Sequence, residues 1–125
     1  MLETETLTAN TILYCRNWEK TADYYRSFLG LPVNFSADWF VEFVVTETTR
    51  LSIADERRSG IKSPRKKGVT ITLQVRDIKA AHEAAVRKSL APTQIRNHQW
   101  NAKVFHLFDP EGHRIEIWQS FPEEK

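Results

Sequence analysis

Cysteine, methionine and glycine are scarce in this chain of 125 residues, which holds one Cys, one Met and four Gly. The lone Cys15 excludes an internal disulfide and any paired-cysteine zinc site. A reduced, cytoplasmic setting is the natural default for such a sequence. With so few glycines there is no GxGxxG and no GxxxxGK[ST] run, hence no phosphate-cradling loop. No hydrophobic run approaches the roughly 18 apolar residues of a membrane span. The opening MLETETLTAN is acidic and polar, unlike a signal peptide. Charge of one sign is also lacking: 18 basic residues stand against 16 acidic ones, a formal +2 with a pI near 8.8. Six of the basic side chains and one of the acids fall within residues 56–67, so the remainder of the chain is slightly acidic. No aromatic residue interleaves that basic tract and no nucleic-acid motif surrounds it. Nucleic acid and membrane are therefore not expected partners.

What is present is an ordinary globular mixture, 41% hydrophobic, 11% aromatic and 27% charged, enough for one domain or two small modules. Residues 11–15 read as a strand, followed by a helix over about Trp18–Phe28 with Asn17 as N-cap and Gly30 as its stop. Strand signals cover Pro32–Ser36, Trp39–Val45 and Arg50–Ala54, the last two joined by the turn Thr46-Glu47-Thr48. The stretch 56–68, ERRSGIKSPRKKG, breaks the pattern and reads as an exposed connection. A strand over Val69–Val75 follows, then a helix over about Ile78–Leu90 with Asp77 as N-cap. A weak strand over Thr93–Arg96 and a strong hairpin, Lys103–Phe108 and Arg114–Gln119, complete the chain.

The two halves have the same order of elements. Residues 12–17 and 72–77 align at an offset of 60, and each run leads into a helix, a proline and three strands. The expected architecture is α+β: modules 9–55 and 69–119 of βαβββ form, joined by the basic linker 56–68, in one domain. Their curved mixed sheet would enclose a cleft, with the helices on the outer face.

The final hairpin sorts its residues by face. If Asp109 pairs with His113 across the turn Asp109-Pro110-Glu111-Gly112-His113, Phe108 faces Arg114, His106 faces Glu116 and Val104 faces Trp118. One face then carries Phe105, Leu107, Ile115 and Ile117, suited to a helix. The other carries Val104, His106, Phe108, Arg114, Glu116 and Trp118, a mixture wrong for solvent and wrong for a dry core. The strand 69–75 agrees, with Ile71, Leu73 and Val75 facing the core and Thr70, Thr72 and Gln74 opposite. At the repeat offset, Thr11, Leu13 and Cys15 face the core, and Asn10, Ile12 and Tyr14 face the pocket. For residues 39–44 either alternating set is largely apolar, and the face stays open.

These features resemble the vicinal oxygen chelate superfamily, which includes glyoxalase I, extradiol dioxygenases, fosfomycin resistance enzymes and bleomycin-binding resistance proteins. The resemblance covers about residues 9–119. Its most specific pieces are ADYYRSFLGLPV (22–33), with the family's Tyr-x-x-x-Leu-Gly helix end, and FDPEGHRIEIWQ (108–119), with its Asp-Pro-x-Gly hairpin and a carboxylate on the return strand. It implies paired βαβββ units around a cleft, usually in a homodimer. It also places the four metal-ligand positions at Asn10, Ser52, Thr70 and Glu116. Of these only Glu116 is a good divalent-metal ligand, with Asn10 a weak second, so no cofactor is expected.

His106 lies ten residues before Glu116, where ring-cleaving relatives carry an acid/base or substrate-contacting residue. A His–Glu pair there suits acid/base work near neutral pH, and its structural alternative is a polar patch closing the sheet. Arg114 suits an anionic group through its two parallel donors, or a surface acid. Trp118, Trp100, Tyr14 and Phe108 suit stacking on a planar or cationic ligand, or packing. Thr72 and Gln74 complete the candidate ligand-binding set. His82, His98 and His113 lack metal spacing and are expected at the surface, and Cys15 in the core. The leading expectation is a metal-free protein of the glyoxalase/bleomycin resistance type that holds a small organic molecule in its cleft. The alternatives are a metal-dependent lyase, isomerase or dioxygenase using Glu116 and His106, and a non-catalytic dimeric assembly or regulatory module.

Overall fold

Each half of the chain runs strand, helix, strand, strand, strand. In the computed structural model, which describes residues 3–64, 67–98 and 101–121, each half closes its own four-stranded mixed sheet. The chain divides into two compact units, Met1–Arg65 and Lys66–Lys125. Among the described residues no helix is long and apolar enough to cross a membrane.

In the first unit, β1 (Ala9–Cys15) runs parallel to β4 (Thr49–Asp55). β4 pairs antiparallel with β3 (Phe40–Thr46), and β3 with β2 (Val33–Ala37), giving the order β1-β4-β3-β2. Leu13, Cys15, Val41, Phe43, Leu51 and Ile53 are buried. That settles the open face of β3: Val41 and Phe43 point to the core, leaving Phe40, Glu42 and Val44 half-buried on the other side. Thr11, expected in the core, is exposed, because β1 is an edge strand whose burial begins only at Leu13.

The helix α1 (Trp18–Asp23) is followed directly by a π-turn over Tyr24–Phe28, in which Leu29 N–H donates to the Tyr24 carbonyl at 3.1 Å, five residues back. The wider turn buries the adjacent Tyr24 and Tyr25 together, and the Tyr25 ring meets Phe43 at 6.3 Å. Asn17 holds the N-cap position without a side-chain cap bond. Gly30 ends the helix at φ 70°. The basic stretch expected to be irregular begins instead with a helical turn, α2 (Glu56–Ser59). Asp55 accepts from the Arg57 N–H at 3.0 Å at its start, and Gly60 closes it at φ 78°.

The second unit repeats the order as β5-β8-β7-β6, from β5 (Thr70–Gln74), β8 (Arg114–Ser120), β7 (Ala102–Phe108) and β6 (Arg96–His98). β7 and β8 pair without a bulge, Phe108 with Arg114, His106 with Glu116 and Val104 with Trp118, as the alternation required. Phe105, Leu107, Ile115 and Ile117 form the buried face. Helix α3 (Ile78–Arg87) contributes Ile78 and Ala85 to the core. Its N-cap is Asp77, which accepts from Ala80 N–H at 3.0 Å, while Gln119 Oε1 accepts from Ile78 N–H at 2.8 Å. The helix ends three residues earlier than the periodicity suggested. Ser89 takes φ 58° and the Leu90 N–H reaches back to the Ala85 carbonyl at 3.0 Å, a left-handed close that needs no glycine.

Two expectations shift here. β6 occupies 96–98 rather than 93–96, because Thr93 makes other bonds: its N–H donates to the His106 carbonyl (3.0 Å) and its Oγ1 accepts from His106 N–H (2.7 Å). His113 is not a surface residue. Its side chain and that of Asp109 are both 0% exposed, with His113 Nδ1 donating to Asp109 Oδ2 at 2.8 Å. Asp109 Oδ1 also accepts from the N–H groups of Glu111 and His113, both at 2.9 Å, so one carboxylate knits the whole turn. Gly112 supplies the positive φ, 95°. His82 is likewise committed, donating from Nε2 to the Thr93 carbonyl at 2.8 Å and standing edge-on to Phe105 at 4.9 Å. His98 is exposed.

Candidate functional site

The alternation that sends Phe105, Leu107, Ile115 and Ile117 inward sends a second set of residues to the opposite face of the same sheet. Register arranges that face in rows across β5, β8 and β7. The first row is Thr70–Arg114–Phe108, the second Thr72–Glu116–His106, the third Gln74–Trp118–Val104.

The middle row is a hydrogen-bonded chain. Thr72 Oγ1 donates to Glu116 Oε1 at 2.8 Å, and His106 Nε2 lies 3.3 Å from Glu116 Oε2. Both oxygens of the carboxylate are engaged, yet the Glu116 and His106 side chains remain 29% and 25% exposed and reachable by a ligand. The Thr72 hydroxyl, donating to the charged form, holds the Glu116 pKa below its usual 4.5. Burial opposes this, and His106 and the Arg114 charge reinforce it. The residue is a fixed anion at neutral pH. His106 itself is anchored through its backbone, both of whose polar groups bond Thr93. Sequence reasoning missed Thr93, and only its hydroxyl type pointed to such a role.

An open groove of about 500 Å³ adjoins this row, lined by Thr72, Glu116, Val104 and Trp118, with Ala102 and His98 farther along. His98, expected only at the surface, thus also belongs to the groove wall. A second depression, of about 640 Å³, lies at the first row and is lined by Thr70, Arg114 and Phe108 with Gly68, Val69 and Gly112. Arg114 Nε donates to Thr70 Oγ1 at 3.1 Å. Gln74 is exposed beside Trp118 without lining either depression. Tyr14 is half-buried in the first unit, paired with Ala54. Trp100 lies outside the described residues.

A family model described as Glyoxalase/Bleomycin resistance protein/Dioxygenase superfamily matches residues 8–117. The chain belongs to that superfamily. Its fold is similar to a glyoxalase/bleomycin resistance protein/dioxygenase from Nocardioides, with a TM-score of 0.79 and 18% identity over 100% of this chain and 89% of that one. It is also similar to lactoylglutathione lyase from Agrobacterium tumefaciens, with a TM-score of 0.76 and 14% identity over 94% of this chain and 96% of that one. A Bacillus subtilis (strain 168) protein, uncharacterized protein YraH, is 22% identical over 122 residues, 86% of this chain and 93% of its own. Likeness at these identities shows the fold and leaves the chemistry to the side chains.

The superfamily's metal positions can be tested against the donors present. In the first unit, Asn10 Oδ1 already accepts from the Ser52 hydroxyl at 2.8 Å, and Ser52 is fully buried. In the second, Thr70 Oγ1 is engaged by Arg114 and Glu116 by Thr72 and His106. Among the described residues no three His, Cys, Asp or Glu side chains come together as a metal-holding group. Neither the amide and hydroxyl of the first unit nor the hydroxyl and single carboxylate of the second, each already hydrogen-bonded, fits a tightly held divalent ion.

Proposed function

We propose that this superfamily member binds a small organic molecule, without a metal of its own, on the polar face of its second sheet. The observation that carries the reading is the Glu116 carboxylate, fixed between Thr72 and His106 at the edge of a groove walled by Trp118. An oriented anion beside an indole in an open groove suits a ligand with a hydrogen-bond-donating group on a planar apolar body. We extend the reading to a homodimer in a reducing, cytoplasmic setting, in keeping with the superfamily's habit and with the buried thiol of Cys15.

The test is calorimetric titration of small aromatic amines, with metal analysis of protein purified without chelator. Binding to the parent, weakened about tenfold by Glu116→Gln or Trp118→Ala, supports the reading. Near-stoichiometric metal that disappears in Glu116→Ala overturns it. That result favours the second reading, a lyase, isomerase or dioxygenase, for which the 3.3 Å His106–Glu116 contact supplies an acid/base pair.

A further inference from the structure

The three rows differ in electrical character, and they follow one another along a single strand. Arg114, Glu116 and Trp118 occupy alternate positions of β8 and so project from the same face, successive rows lying about 7 Å apart. The first row is cationic and aromatic. Arg114 is exposed, its Nε is spent on Thr70, and its terminal nitrogens meet no carboxylate among the described residues. Glu116, the nearest acid along the strand, feels the Arg114 charge without forming an ion-pair contact with it. Phe108 stands beside Arg114 across the register and is 53% exposed, a large apolar side chain left uncovered at the rim of the same depression. The second row is anionic and the third presents the indole. The two depressions therefore lie at neighbouring rows of one sheet face.

Two opposite charges held apart on a shared face, each oriented by its own threonine, make a dipolar surface. A neutral aromatic would fill the groove yet leave both charges to water. A purely anionic ligand would be attracted at Arg114 and repelled at Glu116. A molecule carrying both charges with the matching separation satisfies both rows.

Resting on the small-molecule reading above, we infer that the ligand is amphoteric and is read lengthwise along β8. An oxyanion sits at Arg114 beside Phe108, a protonated amine about 7 Å away sits at Glu116, and a planar apolar group lies against Trp118. The carboxylate or phosphate at the first row receives the free edge of the guanidinium. The amine donates to the outer lone pairs of a carboxylate whose remaining acceptors are already oriented.

A compact probe with this order of groups is the dipeptide phenylalanylglycine, compared with its C-terminal amide and its N-acetyl derivative by calorimetry. The parent protein should bind the dipeptide about tenfold more tightly than either derivative. Arg114→Gln should remove the preference over the amide while keeping the preference over the N-acetyl form, and Glu116→Gln should do the reverse. Both side chains are solvent-accessible, and unchanged thermal melting of each variant shows that the fold is intact. Equal binding of all three compounds by the parent, or a carboxylate preference that survives Arg114→Gln, overturns the inference. If neutral aromatics bind and charge makes no difference, only the amphoteric assignment falls. If neither neutral aromatics nor the dipeptide bind, the small-molecule reading falls with it.

Discussion

The two units share strand order and strand direction, and their central rows pair alike, yet they put different chemistry at equivalent places. At the repeat offset Ile12 corresponds to Thr72. Cross-strand pairing then matches Ser52 to Glu116 and Glu42 to His106. In the first unit the polar members of this row bond to asparagines outside it. The buried Ser52 hydroxyl donates to Asn10, while Glu42 Oε1 accepts from Asn34 Nδ2 at 2.6 Å, the amide being brought in by a bulge between Val33 and Phe35. In the second unit the row centres on a carboxylate that stays within reach of solvent. A duplicated scaffold is therefore no guarantee of duplicated chemistry, since one side chain per strand sets the character of the row.

The largest contrast to break is in the hairpin turns. The first unit's turn is held from outside by Arg50, whose guanidinium donates to the carbonyls of Thr46, Glu47 and Thr49. The second is held from within by the buried Asp109–His113 pair. Asp109→Ala strands two N–H groups and a ring donor, and should cost about 3–5 kcal/mol in urea unfolding. Arg50→Ala, at groups open to water, should cost about 1 kcal/mol or less. Similar losses at both turns would show that burial is not what separates them.

The next contrast is electrostatic. Because Thr72, above all, lowers the Glu116 pKa beneath 4.5, ionised Glu116 contributes to folding above about pH 4.5, and the contribution disappears as pH falls through the folded value. The stability gap between the parent and Glu116→Gln should therefore be widest near neutral pH and narrow in acid, and Thr72→Val should shrink it. A gap independent of pH in thermal melts would contradict the assigned cause. Glu42→Gln, at the first unit's counterpart of His106, should leave ligand affinity unchanged.

The smallest contrast lies where the helices end, at Gly30 in one unit and Ser89 in the other, both at positive φ. Open space surrounds Gly30, so Gly30→Ser should cost about 1 kcal/mol through backbone strain alone. Ser89→Gly should relieve strain at the matching position and stabilise by about 0.5–1 kcal/mol. Equal and opposite shifts in melting temperature would show that the two helix ends are interchangeable.

Particular residues show how far the sequence could be read. The β7–β8 register was legible because Pro110 and Gly112 fix a three-residue turn and no bulge interrupts the strands, so alternation alone sorted the faces. Asp77 was legible as a cap because it precedes an apolar period. His113 was not, because proximity to a turn argues for solvent. The overlooked signal was its spacing of four from Asp109, which lets one carboxylate close the turn over the ring. For His82, the helical position does not reveal that a carbonyl such as that of Thr93 waits opposite. The burial of Ser52 escaped notice because a serine on the pocket side reads as wet until Asn10 is seen to accept from it. The carboxylate–histidine row needed only the strand period, whereas the Thr93 anchor beneath it depends on chain brought in from outside the hairpin.

The unbroken pairing of β7 with β8 makes the polar face a ruler graduated in fixed steps. Substitution at Arg114, Glu116 or Trp118 changes which chemical group stands at a mark, but not the distance between marks, because that distance belongs to the backbone. A lineage could retune this surface to a new compound of the same length by exchanging single residues. A compound of a different length would demand an inserted residue, which would turn every following side chain over to the core.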